Sequence, residues 1–129
     1  MLRFSENKYG TSISHGTQIG SGFYMSQAGG IVIDPHTVIG MNCNISQQVI
    51  LGKADGGAGN TAPVIGDRVY IGPGAKVIGD VRIGNQVVIS ADCVVTEDIP
   101  DKSIVFGAPG RVISSEGSRE YIYRTDYDR

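Results

Sequence analysis

The 129-residue chain has no tryptophan, only two leucines and two histidines, and its apolar content rests instead on 16 isoleucines and 13 valines. That composition works against helices, because β-branched side chains lose χ1 freedom there and suit a pleated strand. The 19 glycines, about twice the usual share of roughly 7%, interrupt helices further. A helical bundle and a doubly wound α/β fold are therefore excluded. A basic stripe is equally absent: 11 Lys and Arg residues are scattered singly against 13 acidic ones, for a formal charge of −2. No surface can neutralise a run of phosphates, so nucleic acid is not an expected partner. No stretch approaches the ~18 consecutive apolar residues of a membrane span, and MLRFSENKYG lacks the apolar core of a signal peptide. The expectation is a cytoplasmic protein without membrane insertion. The two cysteines, Cys43 and Cys93, stand 50 residues apart in strand-like surroundings. This spacing fits buried thiols better than a disulfide or a metal pair, and no metal site is expected.

What is present is a six-residue period. Stepping by six, an aliphatic residue falls at 65, 71, 77, 83, 89 and 95. Upstream the same step gives Ile13, Ile19 and Met25, then Ile33, Ile39, Ile45 and Leu51 after a two-residue insertion around Ile31–Val32. Between Leu51 and Ile65 an eight-residue excess must leave the regular path as a loop, at about residues 53–64. The fifth place of each hexad is mostly small or aliphatic (Thr17, Thr37, Cys43, Val69, Val87 and Cys93 among them), and the second is most often Gly. Six residues suit neither a 3.6-residue helix nor simple two-residue alternation. They suit a coil of short strands with two inward positions and a turn, stacked at about 4.8 Å per layer.

With three hexads to a coil, the 13 hexads make an all-β protein: a parallel β-helix over residues 13–114. Residues 1–12 are expected to cap one end, and 115–129 to form a charged, tyrosine-bearing tail at the other. The sixth place should point outward, yet it holds Val38, Ile50, Tyr70, Val88 and Val94. Outward aliphatics on a solenoid face imply self-association.

The hexad array, the insertion, the long loop and the closing run IPDKSIVFGAPGRVI together resemble the left-handed β-helix acyltransferases. The likeness is to the serine acetyltransferase branch and its short relatives in polysaccharide biosynthesis. It implies a left hand for this parallel β-helix, a homotrimer with active sites between neighbouring prisms, and acetyl-CoA lying along the coils as acetyl donor. An alcohol attacking a thioester needs a general base, usually His, and an N–H to receive the oxyanion. Serine acetyltransferases read Asp-His-x-Thr-Gly before the insertion; here the segment is Ser26-Gln27-Ala28-Gly29-Gly30. Their loop ends Arg-His-Pro, whereas this one ends Thr61-Ala62-Pro63.

Both family histidines are thus replaced, and so are the charges that would clamp an amino acid. A saccharide hydroxyl needs hydrogen bonds rather than ion pairs, which Ser26, Gln27, Asn60 and Thr61 can supply. The best remaining base is His36, which follows the insertion; His15 is the alternative imidazole. Asp34 more naturally bonds to turn backbone. By the resemblance, acetyl-CoA contacts Gly52, Lys53, Gly72, Pro73, Ser90 and Ala91, with Lys102 and Arg111 for its phosphates. The loop GKADGGAGN is not followed by the GK[ST] of a phosphate-binding loop. Two histidines are also too few for a three-His zinc site. The competing reading is a non-catalytic trimer that binds coenzyme A or serves as a scaffold.

Overall fold

The structure is a computed structural model and describes residues 12–13, 17–26, 29–54, 62–115 and 117. It winds as successive three-strand coils. The first is β1 (Ser12–Ile13), β2 (Gln18–Ile19) and β3 (Tyr24–Met25); the second is β4 (Val32–Ile33), β5 (Val38–Ile39) and β6 (Asn44–Ile45). The third is β7 (Ile50–Gly52), β8 (Val64–Ile65) and β9 (Tyr70–Ile71), and the fourth is β10 (Lys76–Ile78), β11 (Arg82–Ile83) and β12 (Val88–Ile89). A fifth coil opens with β13 (Val94–Val95), passes Ile99, which bridges Ile83, and closes with β14 (Ile104–Phe106). Up to β12 the parallel partners are three strands apart, and β12 pairs with β14 because Ile99 forms only a bridge; β1-β4-β7-β10-β13, β2-β5-β8-β11 and β3-β6-β9-β12-β14 form the three faces of a left-handed prism. The register is in step throughout, with Ile33 beside Leu51, Ile39 beside Ile65 and Ile45 beside Ile71.

The hexad positions are the core. Ile19, Ile33, Ile39, Ile45, Leu51, Ile65, Ile71, Val77, Ile83, Ile89 and Val95 are all buried, and half-buried Met25 packs against them. Period six places one large side chain per strand on the axis, and the fifth-place residue (Cys43, Val49, Val69, Ala75, Val87, Cys93) fills the space before it. The insertion shifts this rule by two residues. Ile31, directly ahead of β4, is fully buried in the place that the count from Met25 gave to Gly29.

Three further features depart from the periodic reading. The stretch after Val95 is two residues short, so Ile99 and Val105 re-enter the core four and ten residues on, and they carry the coil further than 13 hexads. The last strand, β15 (Arg111–Ser114), runs antiparallel to β14 and ends the parallel stack. Val88 is 1% exposed within the single chain, so this residue, expected to point to a neighbouring subunit, is already covered. Val38, Ile50, Tyr70 and Val94 keep part of their surface. Ser12 already pairs with Val32 and so belongs to the coil; most of the expected end segments lie outside the described residues.

The three prism corners differ in chemistry. Between the second and third faces the spacing never varies, and Gly20, Gly40, Gly66 and Gly84 stack there. A Cβ on Gly40 would stand 2.6 Å from the Gly66 carbonyl oxygen, and one on Gly66 2.8 Å from that of Gly84. Beside them runs a side-chain ladder in which Met41 N–H donates to Asp67 Oδ1, Asp67 N–H to Asn85 Oδ1 and Asn85 N–H to Asp101 Oδ1, each at 2.8 Å. The fourth place of each such turn adopts positive φ, at Gly22, Asn42, Arg68, Gln86 and Lys102. This corner is sealed. All the irregular lengths fall at the other two corners.

Candidate functional site

At the corner between the first and second faces, the segment Asp34-Pro35-His36-Thr37 turns the chain from β4 into β5. Asp34 Oδ1 accepts the His36 backbone N–H at 2.8 Å, and the Asp34 carbonyl accepts Thr37 N–H at 3.0 Å, which closes the turn. The same carboxylate oxygen lies 3.3 Å from His36 Nδ1, close enough to pair with the imidazole when it is protonated. The Asp34 turn therefore holds the imidazole from one side. With Nδ1 directed to the carboxylate, Nε2 is the nitrogen left to act as a base.

His36 opens onto a cleft of about 390 Å³ along the second face. The floor is the outward column of that face: Gln18, Val38, Val64 and Arg82 from four successive strands. Pro35, His36 and Thr37 form one wall, and Ala62, which returns from the long loop, and Asp80 line the rest. Ala62 is buried and presents only a methyl group here. Neither Asp80 nor Arg82 was singled out from sequence, because a charged residue on an outward strand position reads as solvated surface until the corner is folded against it. Thr37 is fully buried and its Oγ1 has no hydrogen-bond partner; Thr17, below it in the stack, is the same.

The remaining sequence candidates divide among several places. Gly52 and Lys53 lie on the same corner as His36, one coil on, at the root of the long loop. Ser26, Gly72, Pro73, Ser90 and Ala91 lie on the corner between the third and first faces. There a Cβ on Gly72 would meet Ala91 N at 2.8 Å, so this glycine lets the two coils stack. Lys102 falls on the sealed corner, and Arg111 on the terminal hairpin beside a smaller cavity of about 230 Å³ shared with Glu97 and Pro109. The fold thus brings Gly72, Pro73, Ser90 and Ala91 together but separates them from His36 and from Lys102. Gln27, Asn60 and Thr61, with His15, lie outside the described residues.

The corner between the third and first faces lacks the side-chain ladder of the sealed corner. At the place occupied by Asp67, Asn85 and Asp101 it carries Gln47, Pro73 and Ala91. Pro73 and Ala91 have no side-chain acceptor, so the capping ladder cannot form. An amide-bearing chain could bond to backbone here, which fits the pantetheine arm of coenzyme A. Both cysteines are buried and free. Burial pushes the Cys43 thiol up to about 12, helped by the nearby Asp67 charge and opposed by backbone hydrogen bonds, and burial raises Cys93 as well. Neither is a nucleophile at neutral pH. Among the described residues no group of His, Cys, Asp and Glu side chains could hold a metal ion, and no helix is long and apolar enough to cross a membrane.

A left-handed prism of hexads with a cleft at one corner is the architecture also seen in solved serine acetyltransferases. Residues 62–97 match the bacterial transferase hexapeptide family over six repeats, and over most of its length the chain is similar to serine acetyltransferases. It is 38% identical over 110 residues to the serine acetyltransferase of Synechococcus elongatus, covering 85% of this chain and 45% of that one. The Staphylococcus aureus enzyme is likewise 38% identical over 110 residues, with 52% of its length covered. Among solved structures, the Neisseria gonorrhoeae serine acetyltransferase superposes with a TM-score of 0.79 at 33% identity, covering 82% of this chain and 41% of that one. The Brucella abortus enzyme in complex with coenzyme A gives 0.80 at 34% identity, covering 83% and 43%. The chain spans about half the length of these curated relatives.

Proposed function

We propose that the chain is an acetyl-CoA-dependent O-acetyltransferase acting on a hydroxyl of a saccharide or polysaccharide precursor. The observation that carries this reading is the cleft in which His36, steadied by Asp34, faces a groove with a hydrogen-bonding and apolar lining. Similarity to serine acetyltransferases, one of them solved with coenzyme A, supports the donor. The acceptor differs from serine because Ser26 and Thr61 replace the charged pair expected to grip an amino acid. When bound, acetyl-CoA supplies the thioester. His36 Nε2 takes the proton of the acceptor hydroxyl as its oxygen forms the new ester bond; the carbon–sulfur bond breaks, and the proton passes on to the departing thiolate. The coenzyme corner at Gly72, Pro73, Ser90 and Ala91 holds the donor through backbone contacts.

Because that corner and the His36 corner are different edges of one prism, a working site needs two copies side by side. The assembly is a homotrimer in which one copy's coenzyme corner faces its neighbour's cleft. Partly exposed Ile50 and Val94, both on the first face, are contact residues in that arrangement.

The test is coenzyme A release from acetyl-CoA over a panel of saccharide hydroxyl acceptors, with His36→Asn, His15→Asn and Gln27→His compared. His36→Asn should cost roughly 10²-fold or more in kcat, and His15→Asn little. Unchanged turnover in His36→Asn removes that residue from the chemistry. Buried Ala62 in place of the second histidine favours one other reading, a non-catalytic trimer that binds acetyl-CoA. Donor binding without thiol release from any acceptor would establish it, above all if Gln27→His gained activity.

A further inference from the structure

We propose that the cleft on the second face selects an acceptor carrying an anionic group, a phosphate or carboxylate borne on a saccharide, and that Arg82 is the residue that selects it. The inference rests on the reading of His36 as the base. Arg82 lines the cleft, and its side chain is exposed. Among the described residues no carboxylate pairs with its guanidinium, whereas His36 is paired with Asp34. Asp98, the nearest acid in the next coil, spends Oδ1 on the Arg82 backbone N–H at 2.9 Å. Arginine presents a fixed fork of donors that matches the oxygens of a phosphate or carboxylate.

The strand ladder works as a ruler. β5, β8 and β11 are consecutive neighbours, with Val38 beside Val64 and Val64 beside Arg82. At about 4.8 Å per strand, the Arg82 row lies about 10 Å from the row that His36 leads into. Side chains on a strand stand roughly perpendicular to the sheet, so the guanidinium keeps most of that separation. With about 3 Å of hydrogen bond at each end, the ligand's hydroxyl and anionic oxygens must stand at least about 4 Å apart. A sugar phosphate or an acidic disaccharide has the required length. Between the two ends Val38 and Val64 offer only methyl groups, which suit the C–H face of a sugar ring, and the Gln18 amide lies beyond them. Asp80 is the opposing charge in the cleft. It turns the chain two residues ahead of Arg82 and lines the same cleft, so it weakens the anion's hold and favours one anionic group over several.

The experiment is equilibrium binding to the assembled protein by calorimetry, independent of turnover. Its probes are N-acetylglucosamine 1-phosphate, a glucuronate-terminated disaccharide, and the uncharged counterpart of each. One charge-assisted contact predicts that an anionic probe binds about tenfold more tightly than its neutral partner. Arg82→Gln should erase that difference and leave neutral binding unchanged, while Asp80→Asn should enlarge it. Whichever anionic probe shows the larger preference tells phosphate from carboxylate. Equal affinity for charged and neutral probes, a preference that survives Arg82→Gln, or no binding at millimolar concentrations overturns the proposal. Arg82 is exposed, so its replacement leaves the fold intact. His36→Asn must keep the charge preference in this assay. If it does, yet turnover is also unaffected, the base assignment fails while the Arg82 assignment stands; if turnover is lost and no charge preference is found, the base stands and Arg82 is removed.

Discussion

Alanine at Gly66 should destabilise the prism far more than alanine at Gly52, although Gly66 directly follows β8, Gly52 ends β7 and neither has positive φ. A Cβ on Gly66 would stand 2.8 Å from both the carbonyl carbon and the carbonyl oxygen of Gly84 in the next coil. Non-bonded carbons normally meet at about 3.5–4.0 Å, so the overlap approaches 1 Å. The coils cannot separate to relieve it, because Gly66 N–H donates to the Ile83 carbonyl and Gly40 N–H to the Ile65 carbonyl, each at 2.9 Å. At Gly52 the nearest atoms are methyl carbons of Ile50 and Ile78 at 3.9 and 4.0 Å, ordinary contact. Overpacking of this kind costs about 1–3 kcal/mol. With an unfolding entropy of about 2.1 cal/mol/K per residue, a 129-residue chain should lose roughly 4–11 °C in Tm. Gly52→Ala should stay within about 0.5 kcal/mol of wild type. Thermal melts followed by far-UV circular dichroism at one fixed protein concentration measure both variants. A Gly66→Ala protein as stable as Gly52→Ala would refute the stacking argument.

Thr37→Val should stabilise the fold by about 1–2 kcal/mol, since it replaces a buried hydroxyl without a partner by a methyl of nearly the same shape; a lower urea midpoint would mean that the hydroxyl is satisfied. The Cys43 thiol should resist disulfide reagents in the native protein and react once unfolded, as burial holds its pKa near 12 against the ordinary value of 9.0. Because the unfolded thiol ionises first, its contribution is intact below that ordinary value and is lost as pH climbs toward 12. Cys43→Ala should therefore flatten the alkaline decline in urea midpoint, and an unchanged slope would assign it elsewhere. Sedimentation at micromolar concentration should give three times 13.6 kDa; a monomer would contradict a site shared between copies.

The sequence by itself determined the coil. One aliphatic residue per six, repeated with small fifth-place residues, can be buried consistently only if every sixth side chain meets the axis, and Ile39, Ile65 and Ile83 do so. It also marked the loop after Leu51 and the insertion before Ile33, because each breaks the count. Where the period slips without a longer break, the count failed. Ile31, Ile99 and Val105 are core residues that a strict step of six passes over, and β15 turns antiparallel because nothing periodic specifies the end of a stack.

Only the tertiary structure decided which corner each candidate occupies. Residues in equivalent places of successive hexads fall on different corners, since three hexads make one turn. His36 and Lys102 both hold the fourth place of a hexad, yet one lines an open cleft and the other sits on the corner sealed by stacked glycines and the Asp67, Asn85 and Asp101 ladder. Asp80 and Arg82 lie more than 40 residues from His36 in the chain, and the parallel register alone brings them to the same groove. Local patterning carries periodicity and burial; the meeting of distant side chains depends on how many residues the chain spends at each turn, and that sum is expressed only when the coils close upon one another.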